Sequence, residues 1–249
     1  IYVGGYVGRG NIAIPGLPYG ILEGEVIRRD YGSLDGTDHT QVHWDDRTNY
    51  TPIVNANGGY QFLGYGVIGN PQPDFVYGVT NTLSYKWATL RVQFDSQVGG
   101  DVFSTTNSTL LGRGILQETD FDRFVPVVTN GLSADGTPNT TQTTANAHYW
   151  PNTGVFYDEN SIYDASVMRL REVSLSFVAP KSFLNGTPFG NASLTLSAQN
   201  IWHYAWNTPS GTNFDPEVIS YGAGSNARGF DEMTGPTAKK YGATLSLTF

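Results

Sequence analysis

Cysteine is absent from the 249 residues of the sequence, which excludes disulfide bonds, thiolate metal sites and a cysteine nucleophile. Basic residues are scarce as well. The 14 Lys and Arg residues stand against 22 Asp and Glu residues, so the formal net charge is -8, and the basic residues do not cluster. Because binding to nucleic acid requires many Lys and Arg side chains on the phosphates, we expect no nucleic-acid partner.

Long apolar runs are also missing. No run of about 18 apolar residues occurs, which excludes a transmembrane helix. Apolar residues at helical spacing are nearly absent too. Residues 1–4 carry neither the basic segment nor the apolar core of a secretory signal. We therefore expect that a signal has been removed, or that the sequence is a segment of a longer protein.

Alternation of apolar and polar residues is the main positive signal. It predicts strands because successive side chains of a strand point to opposite faces. The clearest predicted strands are 75–80, 89–96, 172–177, 191–200 and 240–249. Weaker candidates are 19–31 and 57–68. One face of these strands is aliphatic, with aromatic residues toward the strand ends, and the other face carries Ser, Thr, Gln, Asn and Arg.

A sheet with one aliphatic and one polar face fits two architectures. It is typical of a transmembrane barrel with lipid outside and a polar lumen inside, and also of a soluble β-sandwich with one solvated face. The predicted connections are short at 84–87 and 179–182, whereas 30–50, 101–149 and 202–239 are long and polar. Because barrels combine short periplasmic turns with long outer loops, we predict an all-β, antiparallel transmembrane barrel. Residues 104–148 should then be extracellular and partly mobile.

Five sequence blocks, taken together and in order, resemble the SusC/RagA family of TonB-dependent transporters. These blocks are 68–78 (IGNPQPDFVYG), 99–103 (GGDVF), 164–177 (DASVMRLREVSLSF), 194–202 (LTLSAQNIW) and 215–218 (DPEV). The resemblance implies a plugged outer-membrane barrel of about 22 strands, of which residues 1–249 supply the C-terminal part. No plug candidate occurs in the sequence, so we expect the plug and the remaining strands to lie elsewhere.

The resemblance also implies a function: TonB-dependent import of a nutrient, either an oligosaccharide or a peptide, across the outer membrane of a Gram-negative, Bacteroidetes-like cell. Its implied partners are a SusD-like surface lipoprotein, the TonB-ExbB-ExbD complex and the lipid of the outer membrane. Import of this kind involves no covalent chemistry, so we expect neither enzymatic activity nor a cofactor. The alternatives are a secreted carbohydrate-binding β-sandwich and a passive porin.

Two groups of residues are candidates for binding and assembly. Trp202, Tyr204 and Trp206 alternate near a strand end, where they form either an interfacial aromatic ring or a surface that stacks on a sugar or peptide. Together with Asp215 and Glu217 they make up the predicted ligand-binding set. The last strand resembles the C-terminal signal of barrel assembly, and its signal residues are Tyr241, Leu245, Leu247 and Phe249.

Candidate catalytic and metal residues do not form a recognisable motif. A glycosidase needs two carboxyl groups that flank a sugar, but the paired carboxylates lie in predicted loops and are expected to be solvated. These pairs are Asp45 and Asp46, Asp120 and Asp122, Asp158 and Glu159, and Asp231 and Glu232. Residues 35–38 lack the spacing of a calcium loop, and His39 and His43 have metal-binding spacing only on a helix. We therefore predict no catalytic residue and no metal site.

Overall fold

Most of the chain can be described in a computed structural model. The described residues are 1–6, 8–31, 44–209, 212, 214–217, 220–221, 224–235 and 237–249. The candidate calcium segment 35–38, His39 and His43 lie outside the described residues.

Sixteen β-strands occur within this part of the chain, together with four short α-helices. The strands are β1 Tyr2–Tyr6, β2 Arg9–Ile12, β3 Ile21–Ile27, β4 Arg29–Asp30, β5 Thr51–Pro52, β6 Phe62–Gly69, β7 Phe75–Tyr85, β8 Ala88–Val98, β9 Asp101–Ser104, β10 Val127–Val128, β11 Gln142–Thr143, β12 Ile162–Asp164, β13 Val167–Val178, β14 Asn191–Tyr204, β15 Phe230–Asp231 and β16 Lys240–Thr248. The helices are α1 Trp44–Arg47, α2 Thr105–Arg113, α3 Ala145–His148 and α4 Lys181–Leu184, and 3-10 turns occupy Gln117–Thr119 and Asp158–Ser161. Within the described residues, none of the helices has the length and hydropathy needed to cross a lipid bilayer.

The five longest strands form one antiparallel sheet in the order β16-β14-β13-β8-β7. All five strongly predicted strands are therefore confirmed, and β7, β8, β13 and β14 extend beyond their predicted ranges by about three to six residues. Short and long connections lie at opposite ends of this sheet, as predicted. At one end, a turn at Lys86 joins β7 to β8. The connection from β13 to β14 lies at the same end, but it includes α4 and is longer than the four-residue turn that we expected.

The strand register aligns apolar side chains in rows on one face of the sheet and polar side chains in rows on the other. One apolar row runs through all five strands as Leu83, Leu90, Leu175, Leu196 and Ala243. The adjacent row, on the opposite face, consists of Ser84, Thr89, Ser176, Thr195 and Thr244. Hydroxyl groups bond across the strands in this polar row, with 3.1 Å between Ser84 and Thr89 and 2.9 Å between Ser176 and Thr195. The sheet thus has one apolar and one polar face.

The apolar face of the sheet is exposed rather than buried. Leu83 is 63% exposed, Leu245 is 65% exposed and Tyr85 is 72% exposed. In water, so much contiguous apolar surface would be unfavourable, because each buried Å² of apolar surface contributes about 25 cal/mol. A soluble sandwich would cover this face with a second sheet. The exposure of these side chains therefore favours a face that contacts lipid.

The hydrophobic core lies among the long connections and β1–β6, in a region that we call the loop-side body. It comprises the described residues of 1–69, 101–164 and 212–239. Its largest cluster of buried side chains consists of Leu22, Val26, Ile68, Phe103 and Phe230. Phe103 on β9 meets Phe230 on β15 edge-to-face with ring centroids 5.7 Å apart, and both are 1% exposed.

Regular structure in residues 101–149 was not expected from the sequence. The sequence indicated only a long polar connection there, but α2 begins with a side-chain cap and ends at a left-handed glycine. The hydroxyl oxygen of Ser104 accepts a hydrogen bond from the backbone N–H of Asn107, and Gly114 has a φ of 70°. These two caps satisfy backbone groups that a helix of this length would otherwise leave unpaired.

The core of the loop-side body can be tested by shortening one aromatic side chain. Phe103→Ala should destabilise this body by about 3–5 kcal/mol, because it removes buried contacts and leaves a cavity. Resistance of the full-length protein to limited proteolysis, followed across a denaturant series, measures the change. The matched control is Phe124→Ala, since Phe124 is 97% exposed. Equal protease resistance of the two variants would contradict the assignment of the core.

Candidate functional site on the polar face of the sheet

Two arginines of β13 face the polar side of the sheet near its long-connection end. Arg169 lies directly opposite Asp95 of β8, and the register between these strands shifts at Leu170 and Glu172. This β-bulge makes Arg171 an extra residue relative to β8. Arg171 and Glu172 therefore both lie on the polar side, while Leu170 and Val173 stay in the apolar rows.

Arg171 is held by two carboxylates at once. Its guanidinium donates to Asp95 through Nε at 2.7 Å and Nη2 at 2.8 Å. It also donates to Glu217 through Nη1 and Nη2, both at 2.9 Å. The planar fork of a guanidinium matches a carboxylate in this bidentate way, so these contacts fix the orientation of Arg171 as well as its charge.

Arg169 forms the buried half of the same network. Its Nη2 donates to the carboxylate of Asp215, and the hydroxyl of Thr237 donates to the other oxygen of that carboxylate. The side chains of Arg169 and Asp215 are only 4% and 1% exposed. Burial tends to raise the pKa of Asp215, but the hydrogen bond and charge of Arg169, together with the hydroxyl of Thr237, hold this pKa below its ordinary value.

These contacts attach the connection between β14 and β16 to the wall of the sheet. We call Asp95, Arg169, Arg171, Asp215 and Glu217 the arginine network. It has two positive and three negative groups, so its formal charge is -1. The network borders an open recess of about 470 Å³ on the polar face, which is also lined by Gln93 and Gln97.

The five residues of the predicted ligand-binding set fall into two spatial groups. Trp202 pairs with Leu170 and Tyr204 pairs with Met168, which places both rings in the apolar rows. The rings of Trp202, Tyr204 and Trp206 follow one another at 6.4 Å between centroids. Asp215 and Glu217 belong to the arginine network on the opposite, polar side. Of these two acids, only Glu217 is substantially exposed, with 46% of its side chain accessible.

The predicted assembly residues lie on β16 and immediately after it. Tyr241 pairs with Ala198, Leu245 with Leu194 and Leu247 with Ala192, so all three side chains share the apolar face. Phe249 follows the strand and is 86% exposed, with its ring 5.1 Å from that of Phe189.

A second set of ion pairs joins the connection before β13 to the first strands. Arg9 of β2 donates to Asp158 through Nε at 3.1 Å and Nη2 at 2.5 Å, and Arg29 of β4 donates to Glu159 at 2.5 Å. The side chain of Asp158 is 1% exposed and that of Glu159 is 7% exposed. The expectation that Asp158 and Glu159 are solvated is therefore wrong, because both carboxylates are buried and accept hydrogen bonds from arginines of the loop-side body.

Two further acids, Asp231 and Glu25, are affected by burial. Asp231 is 1% exposed and accepts a hydrogen bond from Ser104 at 2.7 Å, so it is not a solvated loop acid either. Glu25 of β3 lies near Asp158. Burial, together with repulsion from Asp158, raises the pKa of Glu25 to about 6, although Arg9 opposes the shift. Asp120 and Asp122 are exposed, as expected.

Metal-binding and catalytic groupings are not apparent in the portion of the chain described above. Its His, Asp and Glu side chains do not form a group of three or more that could hold a metal ion. His148 contacts the hydroxyl of Thr129 through Nδ1 at 3.0 Å. The arginine network consists of paired charges, and these pairs anchor a connection to the sheet.

An antiparallel sheet with one exposed apolar face and one charged polar face is typical of transmembrane β-barrels, and comparison with known proteins agrees with this class. No protein-family model matches the chain. TonB-dependent receptor P3 of Formosa agariphila is 27% identical over 213 residues, which cover 79% of this chain and 18% of the receptor. TonB-dependent receptor P26 of the same organism is 27% identical over 192 residues, which cover 74% of this chain and 18% of the receptor.

Solved structures give the same result for the fold. The RagAB peptide transporter matches with a TM-score of 0.53 and 18% identity, over 98% of this chain and 25% of the matched chain. The RagAB peptide importer in a closed-closed state matches with a TM-score of 0.51 and 18% identity, over 97% and 25% of the two chains. The chain therefore spans about a fifth to a quarter of the length of these relatives. Together, the matches confirm the resemblance to SusC/RagA-type TonB-dependent transporters.

The buried pair of the arginine network leads to a stability prediction. Asp215→Ala should weaken the attachment of the connection between β14 and β16 to the sheet by about 3–5 kcal/mol, because it leaves the guanidinium of Arg169 buried without its carboxylate. Hydrogen exchange of residues 224–235 in the full-length protein measures this effect. Glu217→Ala is the control, since an exposed ion pair contributes only about 0–1 kcal/mol.

The attachment through Arg169 and Asp215 should weaken only at low pH. The pKa of Asp215 is lower in the folded state than its ordinary value of 3.8. Its contribution to stability is therefore fully present above that value and is lost as the pH falls through the lower, folded-state pKa. Protection of residues 224–235 should be unchanged between neutral pH and about pH 5. If Asp215→Ala and Glu217→Ala show equal hydrogen exchange of residues 224–235, the anchoring role assigned to Asp215 is wrong.

Proposed function

We propose that this chain supplies C-terminal strands of a plugged outer-membrane β-barrel of about 22 strands, which imports a nutrient with energy from the TonB system. The register of the five-stranded sheet is the observation that carries this proposal. It produces one face that is apolar except for Asn81 and Ser96, suited to lipid, and a polar face suited to a lumen. The similarity to TonB-dependent receptors and to the RagAB transporter supports the same assignment.

The dimensions of the apolar face support a bilayer position. On β7, the outward-facing aromatic residues Tyr77 and Tyr85 are eight residues apart. At about 3.4 Å per residue they are separated by about 27 Å along the strand. A strand tilted by about 35–45° then crosses about 20 Å, close to the ~25 Å band that aromatic rings flank in such barrels. Trp202 and Tyr204 would belong to the same interfacial ring, on the long-connection side.

The two outer strands of the sheet support a larger barrel. In the described structure, β7 pairs only with β8, and β16 pairs only with β14. An open edge in lipid is unfavourable because each unpaired backbone N–H or C=O group costs several kcal/mol there. Further strands must therefore pair with both edges in the membrane. The plug and these strands would come from parts of the protein outside residues 1–249.

The loop-side body would stand at the extracellular mouth of the barrel. The arginine network anchors one of its connections to the lumenal face, and Glu217 is the acid of this network that we propose to contact the cargo. The cargo would be an oligosaccharide or a peptide, as the family resemblance implies. The matched RagAB proteins are described as peptide transporters. The import itself would need no covalent chemistry.

A surface lipoprotein of the SusD type is the proposed outer partner. The connection between α2 and β10 exposes several apolar side chains that a lid of this kind could cover: Ile115, Phe121, Phe124 and Val125. Contiguous exposed apolar side chains are typical of protein-binding surfaces. The TonB-ExbB-ExbD complex would act through the part of the protein that carries the plug. Tyr241, Leu245, Leu247 and Phe249 are proposed to be recognised during barrel assembly, in which an exposed strand pairs with another sheet edge.

The assignment of faces can be tested with single arginine substitutions in the full-length protein. Val92→Arg places a charge on the apolar face near mid-strand and should cost about 2–4 kcal/mol of insertion free energy. Its neighbour Gln93 belongs to the polar face, so Gln93→Arg should be tolerated. The amount of protein in the outer-membrane fraction is the measurement. Equal losses for the two variants would rule out the assignment of faces, and a folded soluble product would favour the β-sandwich.

Import can be tested separately from insertion. Cells that express the full-length protein should take up a labelled peptide or a labelled oligosaccharide, and uptake should stop when the TonB complex is deleted. Glu217→Gln should lower uptake severalfold without lowering the amount of inserted protein, because it removes an exposed charge beside the recess. The control is Asp135→Asn, which removes an exposed acid outside both the arginine network and the connection proposed to contact the lipoprotein. Uptake that persists without the TonB complex would indicate a passive porin instead.

A further inference from the structure

An apolar groove crosses the outward face of the sheet at its short-turn end. Its volume is about 400 Å³, within the ~300–1,000 Å³ that is typical of small-ligand sites. The side chains that define it are Trp87, Phe177, Phe183, Ala192, Leu194 and Leu245. The rings of Trp87 and Phe177 lie 5.6 Å apart and form one wall. The groove is therefore a formed concavity and not a flat part of the sheet.

The position of the groove limits what can cover it. It lies over the ends of β13 and β14, which have a strand on each side, and it extends to Leu245 of β16. Additional barrel strands would extend the sheet sideways, in its own plane, so they would not lie over its face. Phe183 of α4 is 77% exposed and Trp87 is 50% exposed. The groove thus opens toward the surroundings of the barrel wall.

The charges around the groove are all of one sign. Residues 81–92 and 173–198, which form this half of β7, β8, β13 and β14 with their two connections, contain Lys86, Arg91 and Lys181 but no Asp or Glu. Arg91 lies on the polar face opposite Ser174, so the two lysines are the cations next to the groove. Lys86 immediately precedes Trp87, and Lys181 lies between Pro180 and Phe183 of the groove wall. This local charge contrasts with the net charge of -8 of the whole chain.

We propose that this groove binds one anionic phospholipid of the surrounding membrane leaflet, with an acyl chain along the aromatic wall and the phosphate at Lys86 and Lys181. The inference rests on the proposed membrane position of the sheet. An acyl chain suits a groove whose wall is almost entirely apolar. The lysines would interact with the phosphate, as basic side chains at a membrane surface do with anionic lipids. Trp87 and Phe183 would lie at the interface between acyl chains and headgroups, where aromatic rings are favoured.

Lipid retention by the full-length protein tests the proposal. The protein, purified in detergent, is incubated with phosphatidylglycerol or with phosphatidylcholine, and bound lipid is counted by native mass spectrometry. The wild type should retain one phosphatidylglycerol more tightly than phosphatidylcholine. The double variant K86Q/K181Q should retain it more weakly, by about fivefold for each lysine. Lys240→Gln is the matched control, because it removes the same charge at the opposite end of the sheet.

A second variant separates the acyl-chain site from the headgroup site. Ala192→Trp fills the groove while both lysines remain, and it should abolish retention of both lipids. Wild-type retention in K86Q/K181Q, or an equal loss in Lys240→Gln, would overturn the proposal. Absence of the wild-type protein from the outer-membrane fraction would instead overturn the proposed function. The two failures are thus distinguishable.

Discussion

Backbone pairing between β8 and β13 is the constraint on which the rest of the sheet depends. A slip of one residue in this register would exchange the two faces of a strand, because side chains alternate with a period of two. The observed register keeps Val92 beside Val173 and Leu90 beside Leu175. The hydroxyl row on the other face is aligned by the same backbone bonds. Lipid on one side and water on the other would stabilise one register only, so the membrane itself would select this pairing.

Attachment of the loop-side body to the wall relies on charge more than on apolar packing. The connection after β14 is attached to the wall through Arg169 and Asp215. Within the loop-side body, the connection before β13 is held to β2 in a similar way, through Arg9 and Asp158. Buried ion pairs contribute little net stability, because desolvation offsets the attraction between the two charges. Their geometry is specific, however, and a misplaced partner is strongly unfavourable. These pairs therefore determine where the connections lie, while the cluster around Phe103 supplies the apolar burial.

The sequence predicted the sheet well because alternation is a local signal. Leu90, Val92 and Phe94 indicate a strand without reference to any partner. The bulge at Arg171 was not predicted, although the sequence carries a local sign of it: Leu170 and Val173 are both apolar and three residues apart, which breaks the alternation. By contrast, the pairing of Arg9 with Asp158 joins residues 149 positions apart. Such pairing depends on the tertiary fold, so the sequence suggested only solvated acids for that position.

The two ends of the sheet carry charges of opposite sign, and this difference would orient the sheet across the membrane. The arginine network, with its net charge of -1, lies at the long-connection end, beside the recess on the polar face. Lys86 and Lys181 lie at the short-turn end, where Asp and Glu are absent from both adjoining segments. Basic side chains at the short-turn end would hold anionic headgroups of the inner leaflet. Acidic groups at the other end would leave the mouth open to polar cargo. The strand register therefore produces the lipid-facing surface, while the charged residues at the two ends of the sheet would determine its orientation across the membrane.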